Sequence, residues 1–254
     1  MITSCRTGVL AATVMAVLAV PLPVEAQAPR VSLPAVCQVP DELLTDSSPL
    51  PNTAKQLRAQ RQIKIVALGS SSTLGMGASG PEAAYPARLE VALKAHLPGT
   101  TIQVINKGMS RQSARQMIDR LVSDVLSERP SLVVWETGTA EAVRGAEVDD
   151  FMSALLTGVD KMSEAGIDVL LLDTQYSRST ARIINFQPYV DAIGQVAGMR
   201  DLVLFPRYLI MRLWVDEDRF SFADKSPAET RKVADQIYDC LGLLLARSIA
   251  KTLK

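Results

Sequence analysis

The sequence predicts an α/β fold: a three-layer, flavodoxin-like domain built on a five-stranded parallel sheet. Three observations lead there. Five apolar runs of strand length occur along the chain, segments of helical period separate them, and the runs are nearly continuous in Val, Ile and Leu. Strands buried on both faces require that last pattern, and alternation of strand and helix makes neighbouring strands parallel.

The elements follow in order. "MITSCRTGVLAATVMAVLAVPLPVEAQA" carries Arg6, then no charge until Glu25, and ends on Ala26-Gln27-Ala28. It reads as a signal peptide over 1–28, with cleavage after Ala28 and delivery to the periplasm or the exterior. Its apolar stretch is too short for a comfortable membrane span, so the mature chain is expected to have none. Residues 29–61 read as an extended Pro- and Ser-rich strap ending in a short helix from Thr53 to Arg61. The main domain, 62–254, opens with the strand "QIKIVALGS". "EAAYPARLEVALKAHLP" is an amphipathic helix and "TIQVINKG" the second strand, followed by a helical "SARQMIDRLVSDVLSE". "SLVVWETG" is the third strand, "EVDDFMSALLTGVDKMSEAG" a helix closing on Gly166, and "IDVLLLDTQ" the fourth strand. A helix from Pro188 to Met199, the short strand "DLVLF", a helical "YLIMRLWVDE" and a final helix from Ala228 to Leu253 complete the chain. The economical strand order is 2-1-3-4-5, and in such sheets ligands meet the carboxyl edge of the strands.

Composition narrows the function. Lys plus Arg equals Asp plus Glu at 27 each, so nucleic acid and anionic membranes, which demand a basic face, are excluded as main partners. A small-molecule, lipid or glycan ligand fits better; oligomeric state is not legible. One histidine and two distant cysteines in the mature chain cannot assemble a zinc site, so no metal is expected. The loop after the first strand lacks the Gly-Lys-Ser/Thr ending of a P-loop. Trp135 and Tyr176 are the only rings after the third and fourth strands that a flavin could stack on, so no cofactor is expected. Cys37 and Cys240, in an oxidising compartment, are expected to pair and to tie the strap to the last helix.

The stretch "VALGSSSTLGMGAS…YPARLE" resembles the first block of the SGNH/GDSL hydrolases, in which a strand empties into a Gly-Asp-Ser-x-Thr turn that exposes a nucleophilic serine. That resemblance implies ester hydrolysis, with Gly69 as the glycine, Ser70 in place of the aspartate and Ser71 as the nucleophile. "VINKGMSRQSARQMIDRL" resembles the second block, where an N–H joins the oxyanion hole; either Gly108 or Arg111 takes that place. "VVWETGTAEAV" resembles the third block, Gly-x-Asn-Asp, with Ala140 where an asparagine would donate to the oxyanion. The last block, Asp-x-x-His-Pro, falls on "FSFADKSPAETRKVADQIYDCL" and puts Ala223 at the aspartate and Ser226 at the histidine. His96 lies about 13 residues into the helix after the serine loop, roughly 20 Å from the carboxyl edge at 1.5 Å per residue. Substitute bases are therefore sought among Glu141, Asp173 and Asp224, with Glu136 and Lys225 at the same edge. Two functions remain: an exported serine hydrolase acting on acyl esters with impaired or unconventional catalysis, and a catalytically inactive SGNH domain that binds a ligand or a partner.

Overall fold

A computed structural model describes residues 1–2, 32–44, 48–223 and 225–253. The expected leader and Asp224 lie outside the described residues. Among the described residues no helix is long and apolar enough to cross a membrane.

The strands are β1 (Gln62–Gly69), β2 (Thr101–Gly108), β3 (Leu132–Glu136), β4 (Asp168–Leu172) and β5 (Val203–Phe205). They form one sheet in the order β2-β1-β3-β4-β5, with every pairing parallel. The expected α/β architecture and strand order are those observed. The α-helices are α1 (Pro51–Gln60), α2 (Ser71–Leu74), α3 (Tyr85–His96), α4 (Ala114–Asp119), α5 (Leu121–Asp124), α6 (Thr139–Arg144), α7 (Val148–Glu164), α8 (Gln187–Arg200), α9 (Arg207–Asp216) and α10 (Pro227–Thr252). The strap is less extended than its composition suggests, with short 3-10 turns at Ala35–Cys37 and Asp41–Leu44.

Period-two alternation of the strands divides the interior in two. Ile63, Ile65, Leu132, Val134, Leu170 and Leu172 join α3, α9, α10 and the strap in one core. Val66, Leu68, Val133, Trp135, Val169 and Leu171 join α4, α7 and α8 in the other. Cys37 and Cys240 form a disulfide across 203 residues, which fixes the strap to α10 as the cysteine positions predict.

The segment expected to be one helix after β2 breaks into α4, α5 and a 3-10 turn. Arg120 sits at the break with φ −106° and ψ 11°, and its guanidinium bonds the carbonyls of Gly69 and Lys107 at the ends of β1 and β2. That contact holds the break against the carboxyl edge of the sheet.

Among the described residues four acids are buried, and they share one job. Asp168 accepts from the N–H groups of Asn52 and Thr53 at the start of α1. Glu136 accepts from Ser70 N–H at the start of α2 (2.9 Å). Glu141 accepts from Ala114 N–H at the start of α4. Asp173 accepts from Tyr208 N–H at the start of α9 (2.7 Å). A helix leaves its first N–H groups unpaired and carries a partial positive charge there, so a carboxylate satisfies both at once.

Candidate functional site

Ser71 stands where β1 ends and α2 begins, on the carboxyl edge. Ser70 caps α2, and its Oγ accepts the Ser71 N–H at 2.6 Å. Glu136 and Arg207 lock this turn from below. The Glu136 carboxylate accepts from Ser70 N–H and from Thr73 Oγ1 (3.0 Å), and it pairs with Arg207 at 3.2 Å. Arg207 donates in turn to Ser72 Oγ at 2.8 Å. Both charged side chains are 1% exposed, so the pair is sealed from water. Residues 70, 72 and 73 are thereby fixed around a half-buried Ser71.

Ser71 Oγ has two partners: the Ser110 hydroxyl at 3.2 Å and the Arg111 N–H, which donates to it at 2.9 Å. The Arg111 approach depends on a left-handed backbone, φ +60°. No histidine or carboxylate is hydrogen-bonded to Ser71 Oγ among the described residues.

The turn opens into a cavity of about 290 Å³ whose wall includes Ser71, Arg111, Ala140, Arg144 and Gln175. The structure therefore brings Ser71, Arg111 and Ala140 together on one wall. Gly108 stands apart. Its N–H is donated to Asn106 Oδ1 at 2.8 Å, and Asn106 also holds the Thr73 carbonyl. An added Cβ on Gly108 would lie 2.1 Å from Leu74 N, so glycine is required where β2 meets α2. Gly138, of the third block, adopts φ +91° and turns the chain from β3 into α6.

Of the substitute-base candidates, Glu141 and Asp173 are placed elsewhere, while Glu136 borders the Ser71 cavity but is engaged by Ser70, Thr73 and Arg207. Glu141 is buried and anchors α4; burial raises its carboxyl above the usual range, against the hydrogen bond from Ala114. Asp173 is wholly buried beneath α9, and burial pushes it up to about 7 although Tyr208 N–H and Arg207 pull it down. Neither residue is on the wall of the Ser71 cavity. Ser226, at the family's histidine position, caps α10 in a reciprocal box with Glu229. His96 ends α3, as its position in the sequence requires.

Several contributors were not foreseen. Arg207 precedes the helix expected from Tyr208 and drew no reading in sequence, yet it is 0% exposed; its place just after β5 was the available signal. Ser110 and Asn106 lie at or just beyond the end of β2, and Arg144 at the end of α6, all near the carboxyl edge. Strand-end position alone would have nominated the first two.

Comparison with solved structures gives the fold its context. A lipase/acylhydrolase from Enterococcus faecalis is 25% identical with a TM-score of 0.61, over 76% of this chain and 97% of that one. An acetylxylan esterase from Geobacillus stearothermophilus is 18% identical with a TM-score of 0.57, over 75% and 94%. A protein assigned to the lipolytic G-D-S-L family from Desulfitobacterium hafniense DCB-2 is 21% identical with a TM-score of 0.56, over 73% and 99%. Among curated protein sequences none matches. The family model described as the non-GDSL lipase-like family matches residues 36–254, and the chain belongs to that SGNH/GDSL-related family.

Proposed function

We propose that this chain is an exported, ester-recognising protein of the serine-hydrolase class. Its cleft admits an acyl ester of a glycan, a lipid or a small molecule and presents it to Ser71, and turnover falls far below that of a triad enzyme. The observation that carries this reading is the surroundings of Ser71 Oγ: a serine hydroxyl and a backbone N–H, neither of which is a base. A serine alcohol attacks an ester efficiently only when a neighbouring group takes its proton. Without that base the rate retains only the residual ~10³ to 10⁴ over water that binding supplies. Ala140 offers no side-chain donor, and a missing oxyanion donor costs a further ~10² to 10³. Export is supported by the leader, uncharged from Thr7 to Val24 and ending in Ala26-Gln27-Ala28, and by the Cys37–Cys240 bridge, which an oxidising compartment would maintain.

A second reading, a ligand-binding or interaction module without turnover, is favoured by a separate observation. The backbone N–H groups of the serine and of both candidate oxyanion positions are already engaged: Ser71 N–H on Ser70, Gly108 N–H on Asn106, Arg111 N–H on Ser71 itself. Hydrolysis of 4-nitrophenyl butyrate by the purified protein separates the two. The hydrolase reading expects slow turnover that Ser71→Ala abolishes. Equal rates in both proteins would remove it and leave the binding module.

A further inference from the structure

The charges around Ser71 do not balance. Arg111 and Arg144 both line the cavity, and its one acid, Glu136, is neutralised from behind by Arg207. Neither Arg111 nor Arg144 forms an ion pair among the described residues. The Arg144 guanidinium is nonetheless held in place, because Nη2 donates to the Arg111 carbonyl at 2.6 Å. Arg111 occupies a left-handed backbone position that glycine would fill without strain. The Arg111 side chain is exposed at the mouth of this cavity, where an outside group can reach it.

The other end of the cleft has the opposite character. Past Ser72 and Gln175 the Ser71 cavity borders a second, of about 220 Å³, walled by Met76, Met211, Ile237 and Leu241. Beyond it a third, of about 360 Å³, shares Met211, Phe222 and Ile237 and adds Trp214. The charges on that side are paired, Arg207 with Glu136 and Arg178 with Asp216 and Asp218, so the cleft has unpaired cations on one side of Ser71 and a largely apolar wall on the other.

Building on the ester-recognition reading, we infer that the cleft selects acyl esters whose alcohol carries an anionic group. Arg111 and Arg144 hold that group, and the aliphatic acyl chain lies along Met76, Met211 and Ile237. Guanidinium is suited to phosphate, sulfate and carboxylate because its fork matches their oxygens.

The test measures binding, by calorimetry, of 1-lauroyl glycerol 3-phosphate and of neutral 1-lauroyl glycerol, both below their micellar concentrations. Each charge-assisted contact is expected to contribute on the order of tenfold in affinity. The phosphate ester should bind wild type at least about tenfold tighter, by a margin that shrinks as salt rises. In the double variant Arg111→Gly, Arg144→Gln the ratio of the two affinities should fall to about one, whatever the change in the neutral ester's own affinity. Arg111→Gly keeps the backbone N–H on Ser71 and relieves the strained φ, so folding is not at risk there. An O-acetylated galacturonate oligomer, which has carboxylates but no chain, distinguishes a glycan source from a lipid one. It is expected to bind more weakly than the lauroyl phosphate, and equal or tighter binding would overturn the assignment of the chain. Equal affinity for charged and neutral esters, or a margin that survives the double variant, would overturn the anion site while leaving ester recognition intact. Failure of wild type to bind any of the three would overturn both.

Discussion

Replacing Arg207 by methionine tests the lock beneath the serine turn. The substitution keeps most of the buried volume but leaves the Glu136 carboxylate, 1% exposed, without its cation. Breaking a buried pair from one side costs about 3 to 5 kcal/mol, because a charge is stranded away from water. The loss of the bond from Nη1 to Ser72 Oγ adds to this. The bonds to Glu136 from Ser70 N–H and Thr73 Oγ1 survive and place the total toward the lower end. For a domain of this size each kcal/mol shifts the melting temperature by roughly 2 to 4 °C. Arg207→Met should therefore melt about 6 to 12 °C below wild type, followed by circular dichroism. The double variant Glu136→Gln, Arg207→Met removes both charges and should recover much of that loss, since contacting residues do not contribute additively. A single variant that melts with wild type, or a double variant that simply sums the two losses, would refute the reasoning.

Further consequences can be measured on the same protein. The Cys37–Cys240 bridge closes a loop of 203 residues, which in the chain-entropy model stabilises by about 5 kcal/mol; thiol titration under denaturing, non-reducing conditions should find neither cysteine free, and reduction should lower the urea midpoint. Asp173 is pushed up to about 7 in the folded protein by burial, against a usual value near 3.8, so the folded state holds its proton to higher pH than the unfolded one. Its contribution is most favourable below about pH 4 and is lost as pH rises through 7. The stability difference between wild type and Asp173→Asn should fall across that window, and a flat difference would contradict the assignment. Gly108→Ala places a Cβ 2.1 Å from Leu74 N, a backbone atom that cannot swing aside, and should cost about 1 to 3 kcal/mol in chemical denaturation; wild-type stability would mean that β2 and α2 are not in close contact.

The sheet was legible because burial on both faces writes itself as unbroken apolar runs, and "VLLL" in β4 or "LVVW" in β3 leaves little else to read. The position of Ser71 was legible for a related reason, since a strand emptying into small hydroxyl residues marks the carboxyl edge. What surrounds Ser71 was not. Glu141 and Asp173 at strand and helix ends look like catalytic acids in one dimension; only the packing of α4 and α9 reveals them as anchors for helix N-termini. The engagement of Gly108 N–H by Asn106 depends on how closely α2 approaches β2, a distance no local pattern encodes. Arg207 was missed because a charged residue opening a helix normally faces water. The break at Arg120 escaped because its cause lies in two distant carbonyls.

The central claim is that Ser71 meets an acyl ester without a base beside it. The most direct measurement is the rate at which a fluorophosphonate labels the protein between pH 5 and 9, with the modified residue mapped by mass spectrometry and Ser71→Ala as control. The account predicts slow labelling confined to Ser71, with a rate that climbs about tenfold per pH unit and shows no plateau, as an alcohol activated only by hydroxide requires. Rapid labelling that levels off above an apparent pKa near 6 or 7, or equal labelling of Ser71→Ala, would contradict it.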